Sequence, residues 1–208
     1  MRDLTIVALF SRGDYKAPTN HDLIQFFRSN IVAEPYTTLG WNVCDQLISS
    51  VDQMRAAAAT HLLLIESDMR VPTDALKRLK RHNKPIIAAN YWQRHQRSMA
   101  AGRGGTPITS EGRTGIEEVE YAGCGLMLIK AGVFDALPEP WFSQPWNQTH
   151  RAHATPDAYF CTLARACQQS VWIDHDLSQD VWHIGDVEFG VNQTRYLTSQ
   201  LTLVEIPT

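Results

Sequence analysis

Residues 61–72, His-Leu-Leu-Leu-Ile-Glu-Ser-Asp-Met-Arg-Val-Pro, constrain the fold more than any other stretch of this chain. Leu62–Ile65 is short and wholly apolar, as in a strand buried on both faces. The run stops abruptly at Glu66-Ser67-Asp68. Two carboxylates at the tip of a buried strand carry a large desolvation cost unless an opposite charge meets them. A hard divalent cation does so, and carboxylate oxygens are the donors such a cation takes. Ligands of open α/β sheets gather at the carboxyl ends of the strands, where this pair would stand. The plainer alternative is that the acids cap the helix that follows, although Pro72-Thr73 already supplies that helix with a start.

The rest of the chain reads as alternating strands and helices. Leu4–Phe10 is a strand, followed by a turn at Ser11-Arg12-Gly13-Asp14. His21–Ser29 reads as a helix capped by Asn20. Asn42–Ala59 reads as a long helix with Val43, Leu47, Val51 and Met54 on one face. Thr73–His82 is a helix and Lys84–Asn90 a strand, so the order to this point is βαβαβ. That order implies a parallel sheet with right-handed crossovers. Further strands are expected at Val119–Tyr121, Leu126–Ile129 and Val171–Ile173, with helices at Ala131–Ala136 and Asp157–Cys167. Two irregular stretches, near 93–118 and 143–155, read as flexible functional loops. The whole, residues 1–208, is expected to be one α/β domain with a mostly parallel central sheet flanked by helices.

Composition narrows the setting. No apolar run approaches the ~20 residues of a membrane span, and the apolar part of the N-terminus is too short for a signal peptide. The four cysteines show no Cys-x-x-Cys spacing and read as reduced thiols, so a cytoplasmic protein is expected. The net charge of −3 hides an asymmetry: residues 70–103 hold nine Lys/Arg and one acid, whereas residues 111–208 hold thirteen acids and five Lys/Arg. The basic segment suits a polyanion or phosphates, or is simply a solvated helix face.

Four segments, in order, resemble the GT-A fold glycosyltransferases of the Asp-x-Asp, family 2-like type. Glu66-Ser67-Asp68 resembles the Asp-x-Asp signature, with Glu in place of the first Asp. Tyr121-Ala-Gly-Cys-Gly-Leu-Met-Leu-Ile-Lys130, followed by Ala-Gly-Val-Phe134 and Pro140-Trp-Phe142, is similar to the segment that borders donor sugar and acceptor. Thr155-Pro156-Asp157-Ala-Tyr-Phe160 is similar to the Glu-Asp-x-x-Phe helix opening, with Pro156 in place of the Glu. His183-Ile184-Gly185 matches the His-x-Gly whose His completes the metal site.

The resemblance implies a Rossmann-like nucleotide-diphospho-sugar transferase fold and a sugar-transfer enzyme. Asp68, His183 and Glu66 would hold Mn²⁺ or Mg²⁺, and Glu66 would alternatively contact the nucleotide ribose. Asp157 would be the general base of an inverting displacement; a retaining enzyme would not need it. Ser11 and Arg12 follow the first strand, where the fold holds the nucleobase. Asn42 and Asp45 open the helix facing the donor pocket. The family frequently has Arg-Asn where this chain has Trp41-Asn42, and Arg94 would supply the phosphate contact in its stead. Gly123 and Gly125 would allow close backbone approach to a ligand.

The implied partners are a nucleotide-diphospho-sugar donor, with a UDP-sugar expected, and a hydroxyl acceptor. The acceptor classes left open are a glycan, a small molecule, a protein and DNA with a hydroxylated base. Trp92, Trp141 and Trp146 are available to stack on an extruded base. Two other readings stand beside this one: a nucleotidyltransferase, and a non-catalytic sugar-nucleotide or glycan-binding module.

Overall fold

A computed structural model of the chain describes residues 3–11, 17–30, 33–38, 42–93, 98–149, 151–185, 187–189, 194–197 and 203–206. The elements run β1 (Thr5–Phe10), α1 (Ala17–Ser29), β2 (Ala33–Thr37), α2 (Val43–Ala56), β3 (His61–Glu66), β4 (Met69–Arg70), α3 (Ala75–Arg81) and β5 (Ile86–Ala89). There follow β6 (Gly102–Arg103), β7 (Thr106–Pro107), β8 (Ile116–Val119), β9 (Leu126–Lys130), α4 (Ala131–Ala136), β10 (Trp146–Asn147) and β11 (Ala152–His153). The chain closes with α5 (Pro156–Ala166), β12 (Val171–Asp174), α6 (His175–Ser178), β13 (Trp182–Ile184), β14 (Val187–Phe189), β15 (Thr194–Leu197) and β16 (Leu203–Ile206).

The central sheet has seven strands in the order β2-β1-β3-β9-β5-β12-β8. β1 pairs in parallel with β2 and β3, and β5 in parallel with β12. Five of the seven strands run in one direction and β9 and β8 run against them, so the sheet is mostly parallel, as expected. Apolar side chains alternate between its two faces. Leu62 and Leu64 join the core beneath α2, with Leu47, Val51 and Met54, while Leu63 and Ile65 join a second core with Leu76 and Leu79 of α3. This two-sided burial is why β3 carries no polar residue between His61 and its end.

Several expectations need correction. β3 and β5 are not neighbours, because β9 lies between them and runs antiparallel to both. The edge strand is Ile116–Val119, antiparallel to β12, rather than Val119–Tyr121. β2 carries no sequence signal, since Ala-Glu-Pro-Tyr-Thr lacks an apolar run. α1 begins at Ala17, so Asn20 lies inside the helix instead of capping it. α3 begins at Ala75 after Asp74 rather than at Thr73.

α2 ends at Ala56 rather than Ala59. Ala58 turns left-handed at φ 48° and Ala59 N–H donates to the Met54 carbonyl at 3.0 Å, a capping geometry that closes the last turn. The expected turn at 12–14 lies outside the described residues.

The two expected loops have definite structure where they are described. Within 98–118, Met99, Ala100, Ala101 and Ser110 are buried, and β6 pairs with β7. Within 143–155, β10 and β11 form a short hairpin. A second, antiparallel sheet in the order β16-β15-β14-β13-β4 was not legible in the sequence, and it carries His183. None of the four cysteines is in a disulfide; Cys124 and Cys161 are buried and Cys44 and Cys167 partly so. Among the described residues no helix is long and apolar enough to cross a membrane.

Candidate metal centre and its surroundings

Glu66 is the last residue of β3 and stands beside Phe10 of β1. Its N–H donates to the Gly125 carbonyl at 3.0 Å, and Ser67 N–H donates to the Phe10 carbonyl at 2.8 Å. The backbone then turns through Ser67-Asp68 into β4. β4 pairs with β13, placing Met69 opposite His183, and Ile184 N–H donates to the Asp68 carbonyl at 2.7 Å. This two-residue strand carries the acids of the central sheet across to a histidine of the second sheet.

Glu66, Asp68 and His183 are all buried, and each offers one ligand atom within 4.8 Å of the others. His183 Nδ1–H donates to the Trp92 carbonyl at 2.9 Å. That bond assigns the proton of a neutral ring to Nδ1 and leaves Nε2 as the ligand nitrogen, the usual outer support of a metal-bound histidine. Nε2 is buried without a hydrogen bond and lies 3.4 Å from Asp68 Oδ2. A lone pair facing a carboxylate beside a second carboxylate is a poor arrangement by itself and a good one around a cation. Two hard oxygens and one imidazole nitrogen suit Mn²⁺ better than Mg²⁺.

Tyr91, absent from the sequence-based candidates, ties this cluster to its surroundings. It is buried, and its hydroxyl accepts from Gly125 N–H at 2.9 Å. Its ring meets that of His183 edge-on at 5.3 Å. Burial, and then the charges of Glu66 and Asp157, hold its hydroxyl pKa well above the ordinary value. A Cβ on Gly123 would fall 2.3 Å from the Tyr91 hydroxyl oxygen, and one on Gly125 2.6 Å from Tyr91 Cζ. The close approach expected of these glycines is thus an approach to Tyr91. One signal could have found it: Tyr91 sits just past the carboxyl end of β5, as Glu66 does at the end of β3.

Asp157 occupies the first turn of α5, after Pro156 and the N-cap Thr155. Burial pushes the nearby Cys161 thiol up to about 12, and the Asp157 carboxylate adds to that rise. The charge of Asp157, after burial and the charge of Glu66, also raises the Tyr91 hydroxyl pKa.

Ser11 stands at the exit of β1. Its N–H donates to Gln46 Oε1 and its carbonyl accepts from Gln46 Nε2, both at 2.9 Å. Gln46 thus serves the tip of β1 as a neighbouring strand would, and Ser67 Oγ donates to Ser11 Oγ at 2.9 Å. Asn42 and Asp45 bond to each other at the start of α2. Asn42 Nδ2 donates to Asp45 Oδ2 at 2.7 Å, and Asp45 N–H donates to Asn42 Oδ1 at 3.0 Å. Both bonds lie at the surface, and the structure gives this pair a capping role. Arg12 and Arg94 lie outside the described residues.

His175 and Asp176, close to His183 in sequence, take no part in the cluster. Ser110 Oγ–H donates to His175 Nδ1 at 2.8 Å, and His175 Nε2–H donates to Glu117 Oε2 at 3.1 Å. Ser110 also accepts from Asn90 Nδ2 at 3.1 Å. The Ser-His-Glu order resembles a nucleophilic triad, but Ser110 is fully buried. It serves as a polar strut that fastens the 98–112 segment to β5 and α6.

Most of the basic segment is matched within the fold. Arg70 donates to Asp22 at 2.9 Å, Arg78 to Asp180 at 2.6 Å and Lys80 to Asp3 at 2.7 Å. Lys84 lies over the Trp172 ring, 3.6 Å from its centroid, and Arg103 donates to the Glu118 carbonyl.

No protein-family model matches the chain, and no curated protein matches it. Among solved structures, the crystal structure of A197 from STIV superposes with a TM-score of 0.62 at 15% sequence identity, covering 99% of this chain and 95% of that one. A structure described as a putative nucleotide-diphospho-sugar transferase from Desulfovibrio desulfuricans G20 gives a TM-score of 0.42 at 10% identity, covering 86% of this chain and 85% of that one. UDP-glucose pyrophosphorylase complexed with UDP-glucose gives 0.43 at 11% identity, covering 82% and 72%. The similarity to A197 from STIV extends over nearly the whole chain and is a similarity of fold.

Proposed function

We propose that this protein is a metal-dependent glycosyltransferase that moves a sugar from a nucleotide-diphosphate donor, with a UDP-sugar expected, to an acceptor hydroxyl. The observation that carries this reading is the convergence of Glu66, Asp68 and His183 at the carboxyl end of β3. Asp68 and His183, with Glu66, would hold Mn²⁺ or Mg²⁺. A bound divalent ion supplies Lewis acidity that neutralises the charge developing on a leaving diphosphate.

The chain's own residues supply the rest. Trp92 and Tyr91 fix the ring of His183, so the ligand nitrogen is aimed before the ion arrives. Glu66 would contact the donor ribose or help hold the ion. Asp157 takes the proton of the acceptor hydroxyl as that oxygen attacks the anomeric carbon, whose configuration inverts. The Ser11–Gln46 pairing shapes the wall where the nucleobase would rest.

The test is a panel of UDP, GDP, CDP, dTDP and ADP, each with and without Mn²⁺, read by melting temperature. A ligand that binds only the folded state raises it. A metal-dependent rise for one diphosphate, abolished in Asp68→Ala, is expected; no rise for any of them would overturn the reading. Product analysis then separates two chemistries. Sugar transfer releases the nucleoside diphosphate, whereas a nucleotidyltransferase joins a nucleoside triphosphate to a sugar phosphate and releases pyrophosphate.

A further inference from the structure

Trp146 is 47% exposed and, with Ile24, makes up the exposed large hydrophobic residues of the described chain. An indole left in water forgoes much of the stabilisation that burial would give it. Here it is held in place. Trp146 pairs with His153 across the β10–β11 hairpin, and the two rings meet edge-to-face at 5.2 Å. His153 Nδ1–H donates to the Gln144 carbonyl at 2.8 Å, and Ala154 N–H donates to the Pro145 carbonyl at 2.9 Å.

The base of the hairpin is anchored in the core. Phe142 stacks on Phe160 of α5 at 4.9 Å, and Pro156 is buried. The hairpin therefore enters directly into the helical turn that carries Asp157.

The lining chooses the ligand. Residues 143–155 contain no acid and a single arginine, Arg151. Flanking Trp146 in the chain are the exposed Gln144, Asn147, Gln148 and Thr149. An exposed aromatic face in a segment of amides and hydroxyls fits a pyranose, which presents an apolar C–H face and a rim of hydroxyls. Nucleic acid needs several cations to meet its phosphates, and the hairpin does not offer them.

We propose that the β10–β11 hairpin is the acceptor platform and that Trp146 stacks on a sugar ring of a neutral oligosaccharide. As an acceptor site it rests on the sugar-transfer reading above; as a glycan surface it stands on the hairpin alone.

The experiment titrates the full chain with maltohexaose, cellohexaose, chitohexaose and mannohexaose by isothermal calorimetry, with dT oligonucleotide as the charged comparison. Trp146→Ala and Trp146→Phe are measured beside it. At least one oligosaccharide should bind. Trp146→Ala should weaken that binding about tenfold, as removal of a stacking partner does, while Trp146→Phe retains most of it. An unchanged melting temperature for Trp146→Ala shows that the fold is intact. Binding of no oligosaccharide, equal binding by Trp146→Ala, or binding of dT alone would overturn the proposal. The UDP–Mn²⁺ melting shift, read in parallel, separates the two readings. A shift without oligosaccharide binding rejects the platform and keeps the donor site. Trp146-dependent binding without any diphosphate shift upholds the glycan surface and rejects sugar transfer.

Discussion

His183 Nε2 and Asp68 Oδ2 face each other at 3.4 Å, brought together by the pairing of β13 with β4. The contact buries an imidazole against a carboxylate with Glu66 alongside. In chelator, Asp68→Asn should melt close to the unsubstituted protein, because it removes one of two crowded charges. With Mn²⁺ at about a hundred times its dissociation constant, the unsubstituted protein should gain about 2.7 kcal/mol. For a chain of this size that is a rise of roughly 5–11 °C. Asp68→Asn and His183→Ala should lose most of it. A large drop for Asp68→Asn in chelator would mean that the pair is a self-sufficient ion pair rather than a metal site.

Tyr91 and Gly125 should be energetically coupled. A methyl group added at Gly125 would lie 2.6 Å from Tyr91 Cζ, and overpacking of this kind costs about 1–3 kcal/mol. In a Tyr91→Ala background the same Gly125→Ala change should cost much less. A double-mutant cycle in urea should return a coupling of about 0.5–3 kcal/mol. Additive costs would show that the glycine serves another purpose.

Ser110→Ala should destabilise the protein without touching turnover. It leaves His175 Nδ1 buried without its hydroxyl donor, at a cost of about 1–3 kcal/mol. The melting temperature should fall by about 2–4 °C for each kcal/mol of stability removed. A rate that collapsed while the fold held would revive the triad reading of Ser110, His175 and Glu117.

Acid should weaken the start of β3, where His61 stands. Burial, and then the charge of Lys80, lowers His61 from 6.5 to about 4. The unfolded chain therefore binds a proton that the folded one refuses, so this group's contribution is intact above pH 6.5 and is lost as pH falls toward 4. Asp3, held below its ordinary value chiefly by its hydrogen bond from Lys80, adds a loss of the same sign at still lower pH. His61→Gln should flatten the fall in melting temperature between pH 6.5 and 4. An unchanged slope would show that other groups set the acid sensitivity.

The sequence by itself determined the buried strand running into Glu66-Ser67-Asp68, the existence of the helices that pack on it, and the start of α5 to within one residue, at Pro156 where Asp157 was expected. These follow from local chemistry: an apolar run reports burial, and a proline after a capping threonine reports a helix start. Tertiary structure decided the direction and neighbours of β9, since a strand buried on both faces looks alike whether it runs parallel or antiparallel. It also decided the meeting of Asp68 with His183, because a two-residue strand such as β4 has no periodicity to read. The placing of Tyr91 against Gly123 and Gly125 was settled in the same way. So was the matching of Arg70, Arg78 and Lys80 to Asp22, Asp180 and Asp3. Charge along a chain gives supply; only the fold brings each charge to its partner.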